Sequence, residues 1–235
     1  RDRFVNAPQA LLHGDLHTGS VFVASDTPAR PFDCEFTFFG PMGFDIGQLI
    51  GNIALGVFSQ PLYATDNNEE LKRKQKKKRH QNACHLTKSI LALWNGYESM
   101  FRGLFKQEDD KNRVNRLFPG AHSSVLDRLI EGIWNDARGF AALAIIRRII
   151  GIADVKELRA KNRSEVEKKA LVFAAVQLLK GTEQCSKESL GSSVHVRRFC
   201  KELLAASIVP SSVWQRLDAK TASLEDLLQA VGDDI

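Results

Sequence analysis

Apolar residues recur at helical spacing along most of this chain, and one short stretch near its beginning reads instead as strands. Val21-Phe22-Val23 and Arg30-Pro31-Phe32 predict a small hairpin. Asp45 then opens a stretch through Phe58 whose apolar positions are too dense for a surface helix, so a buried one is expected. A further helix is predicted near Gln81 to Phe105, and Phe118-Pro119-Gly120 breaks the chain after it. Ser123 or Ser124 is placed to cap a long helix to about Ile150, with Gly151 at the favoured C′ position. Ser164-Glu165-Val166-Glu167 begins another, apolar at Leu171, Ala174, Ala175 and Leu178. Gly181 to Ser193 reads as a loop, and two helices are predicted beyond it, near Val196 to Ala206 and Ser223 to Val231. There is no internal repeat and no heptad run.

Composition changes this picture little. An apolar fraction of 43% in 235 residues is enough for a sizeable core. No apolar run approaches the roughly eighteen residues of a membrane span, and Arg1-Asp2-Arg3 opens no signal peptide, so no membrane partner is expected. Cys34, Cys84, Cys185 and Cys200 are scattered and form no Cys-x-x-Cys, which suits a reducing, cytoplasmic setting. The net charge of +5 is local: seven of the eight residues from Lys72 to Arg79 are basic. A solvated insertion or helix extension is the plain reading of that run. A localisation patch or polyanion site is the sharper one, and with no interleaved aromatic residue nucleic acid is disfavoured as a partner.

Candidate chemistry is concentrated in the first fifth. His13-Gly14-Asp15-Leu16-His17-Thr18-Gly19-Ser20 is a polar, glycine-bearing loop, and the hairpin after it returns Asp33-Cys34-Glu35. Phosphoryl-transfer enzymes place a base beside a metal in this way. Asp15 is the candidate base, and Ser20, five positions on, falls where kinases carry a ligand residue. Asp33 and Glu35 are the candidate ligands for Mg²⁺, a hard cation that prefers oxygen donors. On a strand, their spacing of two would put both carboxylates on one face with Cys34 opposite. Asp45 is a candidate N-cap of its helix. Arg147 and Arg148 point about 100° apart on a helix, so one can face a pocket while the other pairs with an acid. The helix dipole would stabilise both in any case.

These strings resemble a known family. His-Gly-Asp-Leu-His-Thr-Gly-Ser, Asp-x-Glu-Phe and Phe39 to Gly47 together are similar to the methylthioribose kinases, within the wider group of aminoglycoside and choline phosphotransferases. Ile145-Ile146-Arg147-Arg148-Ile149-Ile150-Gly151 resembles that family's paired-arginine helix. The resemblance spans roughly Leu11 to Gln60 and Trp134 to Lys180. It implies transfer of the ATP γ-phosphoryl to the 1-hydroxyl of methylthioribose, in methionine salvage. Asp15 would be base, Asp33 and Glu35 would hold Mg²⁺, and the arginine pair would clamp the sugar. It also implies a scaffolding bond from Asp45 to the catalytic-loop backbone, with His13, His17 and Ser20 in support. Ser20 stands where the wider group has Asn, a better Mg²⁺ ligand, so Glu35 is expected to take over that duty. Cys34 replaces a usual Pro.

A kinase of this type needs a glycine-rich cover and a strand lysine over the phosphates. No segment here reads as either. The expected fold class is therefore the mainly α carboxy-terminal lobe of a kinase-like α+β fold, its amino-terminal lobe lying outside this chain. Residues 1–192 would form that lobe: catalytic loop and metal hairpin at 11–47, a basic insertion at 66–82 and a helical body at 83–181. Residues 193–235 would be a helical tail. A lobe alone is expected to be inactive. A different small-molecule kinase, or a decayed lobe kept as an interaction module, are the competing readings. The sequence leaves homodimerisation open.

Overall fold

The computed structural model describes residues 2–60, 68–106, 123–151, 163–183 and 192–208. The chain break at 118–120, Cys185 and the helix expected at 223–231 lie outside them. The elements in order are α1 (Asp2–Asn6), β1 (Ala10–Leu12), a 3-10 turn (Thr18–Ser20), β2 (Val21–Ala24), β3 (Thr27–Pro31), β4 (Phe38–Gly40) and α2 (Gly43–Ser59). Four long helices follow: α3 (Glu69–Lys106), α4 (Ser123–Ile150), α5 (Arg163–Glu183) and α6 (Ser192–Ile208). The protein is thus mainly helical, with two small antiparallel ladders, β1 with β4 and β2 with β3. No helix among the described residues is long and apolar enough to cross a membrane.

Helix α2 is the hub. Ile50, Ala54, Leu55, Val57 and Phe58 are all but sealed from solvent, as its dense apolar pattern requires. Its packing on α4 is unusually close, and the sequence explains why. Gly43, Gly47 and Gly51 fall four apart, on one face of the helix. A Cβ at Gly47 would lie 2.5 Å from the Ala137 carbonyl oxygen, and one at Gly51 would lie 2.7 Å from that of Ala141. Only glycine permits that approach. Aromatic edges tie in the other helices: Trp94 of α3 meets Trp134 of α4 at 4.9 Å, Trp134 meets Phe199 of α6 at 5.6 Å, and Phe58 meets Phe173 of α5 at 5.6 Å.

Several details differ from expectation. Of the two plain readings of the basic run, the structure takes the helix extension and not the separate insertion. Lys72 to Arg79 form the early turns of α3, largely exposed, and the first buried residue of that helix is Ala83. Gly181 continues α5 instead of opening a loop. Helix α6 begins at Ser192, and Val196, Phe199, Leu203 and Ala206 join the core. Burial pushes the Cys200 thiol up to about 12.

Candidate active site

Strand pairing sets the site. Leu12 opposes Phe38 at the end of the β1–β4 ladder. The loop that leaves β1 carries Asp15, and the loop that enters β4 carries Asp33 and Glu35. Two acid-bearing loops therefore emerge side by side from one end of a two-stranded ladder. Gly14 is the contact between them. It has φ +90°, and a Cβ there would lie 2.1 Å from the Phe36 carbonyl oxygen. Glycine alone fits both the backbone conformation and the space.

The Asp15 loop is fixed from below by three polar residues of α2. Asp45, Gln48 and Asn52 stand at i, i+3 and i+7, on one face of the helix. The Asp45 carboxylate accepts the His13 N–H at 2.6 Å and the Gly14 N–H at 3.0 Å. This is not the N-cap geometry: Met42 is the N-cap, and its side chain makes no cap bond. Gln48 Nε2 donates to the Gly14 carbonyl at 3.3 Å. Asn52 Oδ1 accepts from the Thr18 N–H at 3.1 Å and from its hydroxyl at 2.5 Å.

The loop also braces itself. His17 Nδ1 accepts the Gly19 N–H at 3.0 Å, capping the 3-10 turn. The buried Ser20 hydroxyl accepts the His17 N–H at 3.0 Å and lies 3.3 Å from the Asp15 carbonyl oxygen. Ser20 is thus engaged with loop backbone. His13 spans both loops: Nε2 lies 2.7 Å from the Phe32 carbonyl oxygen and Nδ1 3.4 Å from the Asp15 N–H. An Nε2–H tautomer satisfies both contacts.

The Asp15 carboxylate points at α4. Arg147 donates to its Oδ1 at 3.0 Å, and Arg148 lies 3.7 Å from the same oxygen. The two arginines do not divide between pocket and acid, as their helical directions suggested: their long side chains converge on one carboxylate. His17 Nε2 lies 3.7 Å from Oδ2. Arg147 also donates to Gln48 Oε1 at 2.9 Å. Gln48 therefore links loop backbone to arginine, and pattern reading missed it, as it missed Asn52. Neither belongs to a motif. The available signal was a polar stripe at i, i+3 and i+7 on an otherwise buried helix. An open cavity of about 490 Å³ continues from Gln48 and Arg147 along α4, between Phe44, Phe140 and Leu143.

The other acidic loop is built differently. Strand β3 ends at Pro31, so Asp33, Cys34 and Glu35 follow it in exposed, non-strand backbone. Alternation on one strand face does not apply. Asp33 has φ 68°, a left-handed conformation that Asp tolerates better than most side chains, and no other non-glycine residue described has positive φ. Such outliers gather where function holds the backbone. No hydrogen bond or ion pair engages the Asp33 or Glu35 carboxylates among the described residues. Nor do three or more His, Cys, Asp or Glu side chains gather there as a metal cage. Two hard-oxygen donors nonetheless fit Mg²⁺, which is commonly held by one or two carboxylates plus substrate phosphates and waters.

No family model matches the chain. Among curated proteins, methylthioribose kinase 1 of Oryza sativa subsp. japonica is 37% identical over 212 residues, covering 86% of this chain and 46% of the relative. A methylthioribose kinase of Enterobacter sp. is 34% identical over 158 residues, 67% of this chain and 35% of the relative. One of Escherichia coli is 33% identical over 203 residues, 83% and 46% respectively. The chain spans about half the length of these curated relatives, or less. With the ordered motifs, the braced Asp15 loop and these matches in agreement, the chain belongs to the methylthioribose kinase family.

Proposed function

We propose that this chain supplies the catalytic, sugar-facing portion of an ATP-dependent kinase that phosphorylates the 1-hydroxyl of 5-methylthioribose, a step of methionine salvage. In this reading it corresponds to the carboxy-terminal lobe of a kinase-like fold, working with a nucleotide-binding lobe. One observation carries the reading: Asp15 is held ready on a braced loop, with the Asp33–Glu35 loop emerging beside it from the same ladder end.

Asp15 accepts or orients the proton of the attacking hydroxyl. Its pairing with Arg147 and Arg148 keeps it aimed, and cationic donors would stand where sugar hydroxyls and the transferring phosphoryl group pass. Asp33 and Glu35 would hold Mg²⁺. When bound, the ion neutralises phosphate charge and orients the γ-phosphoryl group. Asp45, Gln48, Asn52 and Ser20 hold the loop backbone, which keeps the base in line. Catalysis of this kind is mostly positioning and electrostatics. The apolar walls of the 490 Å³ cavity next to Arg147 suit the methylthio end of such a substrate better than a charged group.

The test is to co-express the chain with the amino-terminal portion of a methylthioribose kinase, supply ATP, Mg²⁺ and methylthioribose, and follow sugar 1-phosphate. Turnover is expected, and Asp15→Asn should lower kcat roughly 10²- to 10⁴-fold with sugar binding kept. Turnover of choline or an aminoglycoside in preference to the sugar would replace this substrate. Unchanged kcat in Asp15→Asn would remove the assigned base.

A further inference from the structure

The junction of α4, α5 and α6 holds a group that the kinase chemistry does not use. Arg138 is only 5% exposed, yet its Nε is sealed from solvent without a hydrogen-bond partner. No carboxylate forms an ion pair with it among the described residues. Arginine does not shed its charge in a protein, so this cation stays charged inside the fold. The nearest counter-charge is already engaged. Buried Glu202 accepts from Gln177 at 2.9 Å, Lys180 at 2.8 Å and Arg198 at 3.1 Å. Two cations, Lys180 and Arg198, thus already pair with this one carboxylate, and the Arg138 charge is felt there as a third.

A second polar nitrogen is stranded at the same place. His195 Nε2 is buried without a hydrogen bond, its nearest acid being Glu131 at 3.7 Å. Between these groups lies a cavity of about 20 Å³, lined by Arg138, Lys180, His195 and Arg198 together with the Glu202 carboxylate and the Gln177 amide, with the rings of Trp134 and Phe199 beside them. That volume admits one water-sized species. Phosphate, sulfate and nucleotides are too large. Three cationic side chains face the cavity against one carboxylate, so its wall carries an excess of positive charge that an anion offsets and a neutral water does not.

We propose that this cavity binds a single monatomic anion of the chloride class, held by Arg138 and His195 with Lys180 and Arg198 adding charge. The ion would bring local charge nearer to balance and join α4, which carries Arg147 and Arg148, to α5 and α6. The site is separate from the Asp15 loop, and its test does not depend on kinase activity.

The experiment uses the whole chain at constant ionic strength, replacing gluconate by chloride. Tm should rise saturably, by roughly 3–5 °C at tenfold excess over Kd. Chloride NMR should show line broadening that bromide reverses by competition. Arg138→Met should abolish both effects. Should that variant not fold, Lys180→Gln should weaken the broadening about tenfold while the fold persists. Equal Tm in both salts without broadening would overturn the proposal and leave the cavity to water.

Discussion

The two acid-bearing loops meet at Gly14, yet they are built in opposite ways. The Asp15 loop is over-determined. Asp45 takes two of its amides, Asn52 a third, Gln48 a carbonyl, and two arginines reach its carboxylate. The Asp33–Glu35 loop is exposed, carries a left-handed Asp and has unengaged carboxylates among the described residues. In the function proposed, the difference follows from what each loop would handle. A base must be aimed before the reaction, so the protein itself provides its partners. Metal ligands receive their partner from outside, and pairing them internally would compete with it. Preorganisation is applied to one half of the site and withheld from the other.

Breaking the braced half should cost most. Asp45→Ala strands two amides that bond a carboxylate, so a loss of about 3 kcal/mol is expected in urea unfolding. Gly47→Ala comes next. Its Cβ would meet the Ala137 carbonyl oxygen at 2.5 Å, which forces α2 and α4 apart at a cost of about 1–3 kcal/mol. That shift also draws Arg147 from Asp15, so sugar affinity should fall with stability.

Glu98, outside both loops, calibrates the scale. Burial opposes its ionisation. Hydrogen bonds from Ser192 and Arg102, the Arg102 charge and the Trp94 N–H outweigh that and hold the carboxyl below its ordinary value. A depressed pKa stabilises the fold fully above the ordinary carboxyl range and loses that effect as pH falls through the folded value. Glu98→Gln should therefore cost about 1 kcal/mol at neutral pH and flatten the acid limb of a stability–pH curve. Asp33→Asn with Glu35→Gln should have the smallest effect on folding, within about 0.5 kcal/mol, since the pair has no partner to lose. A large destabilisation there would mean that the acidic loop is braced as well.

Much of this was legible from residue pattern. Dense apolar spacing announced α2, the Ser123–Ile150 run announced α4, and the order Asp15, Asp33, Glu35 announced two acid-bearing loops that the β1–β4 ladder brings together. What stayed hidden was tertiary. Gly43, Gly47 and Gly51 read as punctuation and flexibility until α4 is laid against them. Gln48 and Asn52 carry no motif, and their partners lie 34 residues earlier in the chain. The strand reading of Asp33 and Glu35 failed because a period of two is also what an irregular loop can show by chance. The basic run could be read as insertion or helix extension because solvent-facing helix and solvated loop share one composition; continuity into Ala83 decides for the helix. Arg138 gave no signal, since an arginine on a helix is ordinary until it is buried without a partner.

The contrast between the loops is tested most directly by native-state hydrogen exchange on the chain alone. The amides of His13, Gly14 and Thr18, held by Asp45 and Asn52, should exchange at least about tenfold more slowly, corrected for sequence, than those of Cys34, Glu35 and Phe36. Asp45→Ala should remove the protection at His13 and Gly14 and leave Thr18 protected. Equal, fast exchange in both loops would contradict the account, because the Asp15 loop would then be no better held than the Asp33–Glu35 loop.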